Sequence, residues 1–161
     1  MFNSRQLIII VLTTVALTVA LDFDWDCTRS PGCCNNACYA IQCMDSPAVL
    51  TYDNSKANRH PRRVASGCTS NRRPCKYTHY SDFGSSCDEY PFASTAQGGK
   101  GATLRCVDPS ENSSQSYNIV FRWIAIIYFT ALGEGGQLGN FYKGVPDGHR
   151  FRVLIKNFDY A

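Results

Sequence analysis

The pattern of apolar and polar positions changes several times along the chain. After Met1-Phe2-Asn3-Ser4-Arg5 comes a mainly apolar run from Leu7 to Leu17, then Thr18-Val19-Ala20. A basic start, an apolar centre and a small-residue exit predict a secretory signal peptide over 1–20, cleaved after Ala20. The run is shorter than the roughly 20 apolar residues a bilayer span needs, so no stable membrane span is expected in the mature chain. Leu21–Cys43 shows little periodicity and predicts loops. Ala48-Val49-Leu50-Thr51-Tyr52 and Ala102–Val107 read as strands, the second stopped by Asp108-Pro109, and Phe151–Ile155 as a terminal strand. A helix is expected to start at Pro91, where the ring is tolerated, and another to cover Gly135–Tyr142. Pro61 and Pro74 argue against one continuous helix in the segment around them. The sum is a small α+β single domain with a short β-sheet, divided into a cysteine-rich N-terminal cap over 21–47 and a main body over 48–161.

Cysteine content changes the picture. All nine cysteines (Cys27, Cys33, Cys34, Cys38, Cys43, Cys68, Cys75, Cys87, Cys106) lie beyond the leader. Behind an export signal they imply disulfides made in an oxidising compartment, and a secreted, extracellular protein. Cys34-x3-Cys38-x4-Cys43 has loosely finger-like spacing, but no matching histidine pair follows, which disfavours zinc. An odd number leaves one thiol free or paired between chains, and the connectivity stays open.

The net charge of +3 is modest, yet seven basic residues and no acid fall between Asn54 and Ser81. They are Lys56, Arg59, Arg62, Arg63, Arg72, Arg73 and Lys76, with Tyr77, Tyr80, His60 and His79 among them. Such a stretch suits a phosphate backbone, since each cation that neutralises a phosphate releases counterions. A solvated loop is the plainer alternative.

Two adjacent acids precede an X-Pro break in Cys87-Asp88-Glu89-Tyr90-Pro91-Phe92-Ala93-Ser94-Thr95, followed by Gly98-Gly99 and by Ser110-Glu111-Asn112-Ser113-Ser114-Gln115. With Gly135-Gly136-Gln137-Leu138-Gly139-Asn140-Phe141-Tyr142 and Pro146-Asp147-Gly148-His149-Arg150-Phe151-Arg152-Val153, this text resembles the NucA/NucB deoxyribonucleases, as a fungal-type secreted member. The resemblance covers roughly the second half of the mature chain. It implies a reduced ββα-metal-like nuclease core, with an aspartate where the ββα-metal enzymes use a histidine base.

Carried over residue by residue, it makes Asp88 the general base and Glu89 a catalytic neighbour that positions water. Glu111, Asn112 and Asn140 become the metal side, with Glu111 also catalytic, and Gln115 and Gln137 become water or substrate holders. The cofactor implied is Mg2+ or Mn2+, hard ions that take carboxylate and amide oxygens. The substrate implied is DNA, with RNA also admissible. Arg59, Arg62, Arg63, Arg72, Arg73, Lys76 and Arg105 are the candidate phosphate contacts, and no base-reading motif accompanies them. The rival from another class is a non-catalytic cysteine-rich secreted protein that binds polyanions or a host partner. Asn112-Ser113-Ser114 is also a glycosylation sequon, and a glycan there would obstruct a metal site.

One segment breaks the resemblance. Ser116–Glu134 is far more apolar than its surroundings, and without it the text reads Glu-Asn-Ser-Ser-Gln-Gly-Gly-Gln-Leu-Gly. Its 19 residues correspond to 57 nucleotides at three per residue, the length of a short intron. We read 116–134 as a non-native insertion, a retained intron or a mispredicted gene model, against a genuine buried strand or helix or a membrane-surface segment, and expect the chain as written to be impaired. About 1 Å of misplacement at a catalytic centre can cost on the order of 10²-fold.

Overall fold

A computed structural model describes residues 21–69, 74–77, 82–113 and 134–158. The signal segment, Arg72, Arg73, His79, Tyr80 and Gln115 lie outside the described residues, as does the proposed insertion apart from Glu134.

Strand β1 (Leu21–Asp26) alternates exposed and buried positions, turning Phe23 and Trp25 inward. It runs parallel to β5 (Arg150–Lys156), with Phe23 opposite Val153. The short β2 (Val49–Thr51) closes the other side of β5 in antiparallel register, giving the order β1-β5-β2. A second sheet is the antiparallel pair β3 (Ser86–Tyr90) and β4 (Thr103–Val107), with Asp88 opposite Arg105. Between the sheets lie Phe23, Trp25, Leu50, Tyr90, Phe92, Val107, Phe151 and Val153, all buried. The Phe23, Trp25 and Phe92 rings meet at centroid distances of 5.7 to 6.4 Å. The α+β architecture and the three strands read from alternation are found where expected.

The N-terminal region departs from the sequence reading. Leu21–Cys43 is not a cap of stapled loops: after β1 and a 3-10 turn it forms α1 (Pro31–Cys43), a helix of 13 residues. Its buried face is Cys33, Asn36, Ala37 and Ala40, the i, i+3, i+4, i+7 spacing of a helix against a core. Cysteine counted as a small hydrophobe, rather than as a staple, completes that stripe. The 21–47 region therefore shares the core and the sheet of the rest.

Two proline expectations also change. Pro61 lies inside α2 (Lys56–Ser66), which continues through it and ends at Gly67 in the left-handed region (φ 100°). The basic segment is nonetheless not one continuous helix, since a separate short α3 (Pro74–Tyr77) follows. Pro91 starts no helix: Asp88 and Glu89 lie on β3, and the chain leaves that strand through a cis Tyr90–Pro91 bond into tight turns. There Gly98 approaches so closely that an added Cβ would meet the Phe92 carbonyl oxygen. The expected helix near residue 135 is present as α4 (Glu134–Tyr142).

Three disulfides staple the fold: Cys27–Cys34, Cys68–Cys87 and Cys75–Cys106. Cys33, Cys38 and Cys43 stand outside them, so three thiols remain rather than one. Cys34 is committed to Cys27, and the finger-like reading of Cys34-x3-Cys38-x4-Cys43 falls with it. The 31-residue separation of Cys75 and Cys106 sets the entropy that their bridge removes from the unfolded chain. Replacing both by serine is expected to cost about 3–4 kcal/mol and to lower the melting temperature by about 10 °C or more. Calorimetry of the pair variant measures this; a shift near zero would mean that the unfolded state is already restrained.

Candidate active site

Asp88 sits on β3 with 3 % of its surface exposed, a carboxyl in a nearly dry setting. Two α1 residues one turn apart reach it. The Asn36 side-chain amide donates to Asp88 Oδ2 at 2.8 Å and to the Thr103 carbonyl at 3.2 Å, spanning both strands of the small sheet. The Cys33 sulfur also stands close to the Asp88 carboxyl, within 4.8 Å. Glu134, the first residue of α4 and only 5 % exposed, joins them. The ligand-type atoms of Cys33, Asp88 and Glu134 all lie within 4.8 Å of one another.

Burial dominates the electrostatics. Loss of hydration pushes Asp88 up to about 7, with the Glu89 charge adding to the shift and the Asn36 hydrogen bond opposing it. Burial likewise raises Glu134 well above the usual carboxylate range, reinforced by Asp88 and relieved in part by Arg63. The Cys33 thiol is held protonated, first by burial and then by the surrounding acids.

Glu89, the next residue on the strand, faces α2. It accepts from Ser66 Oγ at 2.5 Å, and Arg63 Nε stands 3.9 Å from its other oxygen. That distance is an ion pair but too long for a hydrogen bond. Arg59 and Arg63 lie one turn apart on α2, and the Nε of each is buried without a hydrogen-bond partner. A cleft of about 430 Å3 opens beside Arg63, with Lys76, Pro74, Ser85 and Ser86 on its walls. Arg62 is differently employed, pairing with Asp53 at 2.7 Å and donating to the Ala93 carbonyl. Arg105 donates to Asn35 Oδ1 at 3.0 Å.

The remaining predicted residues have structural contacts of their own. Glu111 Oε2 accepts the Gly32 N–H at 2.6 Å, so this acid caps the first turn of α1, where a negative charge is favoured. Asn112 donates its side-chain nitrogen to the Cys87 carbonyl at 2.8 Å and to Ser86 Oγ at 3.1 Å. A glycan on that nitrogen would leave it a single N–H for these two acceptors, so this geometry disfavours use of the sequon. Gln137 clamps the end of β1 through both ends of its amide, accepting from the Asp26 N–H and donating to the Asp26 carbonyl. Asn140 accepts from Lys143 Nζ at 2.8 Å and lies six residues from Glu134, roughly 120° around the helix. The structure thus brings Asp88, Glu89 and Arg63 together, commits Glu111 to α1 and Asn112 to β3, and leaves Asn140 on another face of α4.

Sequence reasoning missed Asn36, Cys33 and Glu134. The first two carry a signal, the helical stripe of α1; Glu134 carries none, being assigned to the insertion.

Gly32 ties α1 to Glu111 by contact. An added Cβ would lie 2.9 Å from Glu111 Oε2 and 3.0 Å from Val107 Cγ1. Gly32→Ala is therefore expected to destabilise by about 1 kcal/mol, crowding and a weakened charged hydrogen bond outweighing alanine's better helix propensity. Thermal denaturation gives the sign, and a gain in stability would show that Glu111 moves aside freely.

The Asp88 and Glu134 carboxyls, close together and buried, suit the hard divalent cation implied by the sequence, whereas the Cys33 thiol does not. Among known families, the model described as Deoxyribonuclease NucA/NucB matches residues 37–121, from the middle of α1 to just inside the proposed insertion. No individual curated protein matches the chain.

Proposed function

The chain belongs to the deoxyribonuclease NucA/NucB family, and on that premise we propose a secreted, metal-dependent endonuclease that hydrolyses DNA with little sequence preference. The observation that carries this reading is Asp88: a buried carboxyl, oriented by Asn36, that titrates at about 7. A general base works best when its pKa lies near the working pH, and burial puts Asp88 there. Ionised Asp88 takes the proton of the attacking water at its Oδ atoms. Glu89, fixed by Ser66 and Arg63, adds to the field that keeps Asp88 basic. The unpartnered Nε donors of Arg59 and Arg63 are suited to receive non-bridging phosphate oxygens. A bound Mg2+ or Mn2+ supplies neutralisation of the phosphate and of the departing oxygen. Glu134, beside Asp88, is the carboxylate nearest to hand to hold it, and Glu111 meets Glu134 through the backbone.

The three disulfides support an oxidising, extracellular destination. No helix among the described residues is long and apolar enough to cross a membrane. Indifference to base sequence follows from cations that contact only phosphate, and RNA remains a second substrate to assay. Plasmid and RNA digestion by the secreted protein, with Mg2+ or Mn2+ and with EDTA, tests the proposal. Metal-dependent nicking is expected. Binding without cutting by the folded protein would overturn it in favour of a polyanion-binding protein.

A further inference from the structure

Cys33 has no place in hydrolysis by a hard cation, yet its sulfur stands among the acids of the site. Three elements deliver the group: α1 brings Cys33, β3 brings Asp88, and α4 brings Glu134. All three residues are buried, and their donor atoms lie within 4.8 Å of one another. Ligands across a tetrahedral zinc sphere stand roughly 3.5 Å apart, so about 1 Å of closure converts the trio into a coordination shell. The Glu134 carboxyl makes no hydrogen bond with another described residue, although 95 % of its surface is withdrawn from water, since only 5 % is exposed. A buried polar group in that state is costly unless something else pairs with it. The nearest cation, Arg63, acts on it only through the longer-range field.

We propose that Cys33, Asp88 and Glu134 form a thiolate–carboxylate site that captures Zn2+ and, by occupying Asp88, holds the nuclease inhibited. The sulfur decides the choice of ion. Thiolates favour zinc and are poor ligands for Mg2+, whereas two carboxylates without a sulfur would discriminate little. Three protein ligands leave one position open for water, within the usual zinc pattern. On binding, the Cys33 S–H proton passes to solvent as the sulfur–zinc bond forms, and the carboxyls release whatever protons they hold. No electron transfer is involved. The inhibitory half of this proposal rests on the nuclease reading; the binding half does not.

The test uses Co2+ as a coloured substitute for zinc on the disulfide-intact secreted protein. One equivalent is expected to bind with a sulfur-to-cobalt charge-transfer band, and Zn2+ to bleach it. The band is expected to vanish in Cys33→Ser, to weaken in Glu134→Gln, and to persist in Cys38→Ser/Cys43→Ser. In DNA cutting at fixed Mg2+ or Mn2+, the half-inhibitory zinc concentration is expected to rise at least about 10-fold in Cys33→Ser, the loss seen even for groups that merely support a ligand. A band that survives in Cys33→Ser, or absence of cobalt and zinc binding by the parent, overturns the site. Should Cys33→Ser fold poorly, an unchanged band and affinity in folded Glu134→Gln would overturn it equally. Binding with equal zinc sensitivity in parent and Cys33→Ser would overturn the inhibitory role. Absence of cutting with every metal would instead defeat the nuclease reading, with the cobalt band still deciding the site.

Discussion

Asp88→Asn is expected to give a folded protein that cuts DNA about 10²–10⁴-fold more slowly, the usual contribution of a positioned general base. Asparagine keeps the shape and an oxygen to accept from Asn36 Nδ2, so the hydrogen bond across the small sheet survives. What disappears is the group that titrates at about 7. In the parent, the rate is expected to rise about tenfold per pH unit below 7 and to level off above it, as a single base ionises. The residual rate of the variant loses that rise. Stability moves the opposite way. Asp88's folded-state value lies above its ordinary 3.8, so between the two the folded protein holds a proton that the unfolded chain has released. Its contribution to stability is complete below about pH 4 and is lost as pH rises through 7. With EDTA present, Asp88→Asn is thus expected to melt at least about 4 °C above the parent at pH 8 and close to it at pH 4. Kinetics and melting curves across pH measure both. An active variant removes Asp88 from the chemistry, and a variant less stable at pH 8 denies that its charge is disfavoured by burial.

The same residue marks how far the sequence could be read. Asp88 was legible because its neighbours form one continuous stretch of text, and β2, β4 and β5 were legible because their faces alternate. Asn36 was not, since 52 positions separate it from the carboxyl it orients. Only packing of α1 on β3 and β4 brings the two together, and α1 was hidden because its cysteines were counted as staples. Of the four cysteines of α1 only Cys34 is bridged, while Cys33 is buried beside the acids. Pro61 misled for a related reason. Pro61 falls in the middle of α2, where the lost N–H is offset by flanking contacts that hold the turns, Arg62 on Asp53 and Ser66 on Glu89. The capping role of Glu111 was not legible either, because the helix N-terminus it caps lies 79 residues earlier.

Two deletions that differ by one residue are expected to behave differently. The Glu134 N–H donates to the Glu111 carbonyl at 2.7 Å, so the chain returns beside the point from which it departs. Removing 116–133 leaves residues 112–115 to join Glu111 and Glu134, whose backbones already meet, and connections whose ends are close tolerate changes in length. That protein is expected to fold, to keep the Gln137 clamp on Asp26, and to cut DNA at least as well as the full chain. Removing 116–134 also takes Glu134 from the side of Asp88. A site that loses one of two adjacent carboxyls should hold its hard cation poorly, and cutting is expected to fall about 10²-fold, as for a misplaced catalytic group. Glu134→Gln in the full chain should reproduce the loss without any deletion, and the rate should recover partly at high Mn2+. The comparison also bears on the insertion itself. Equal or better cutting by the protein lacking 116–134 would assign Glu134 to the insertion and leave Glu111 as the remaining acid of the metal side. Robust cutting by the full chain would show that the meeting of Glu111 and Glu134 keeps the site assembled, whatever the origin of the residues between them.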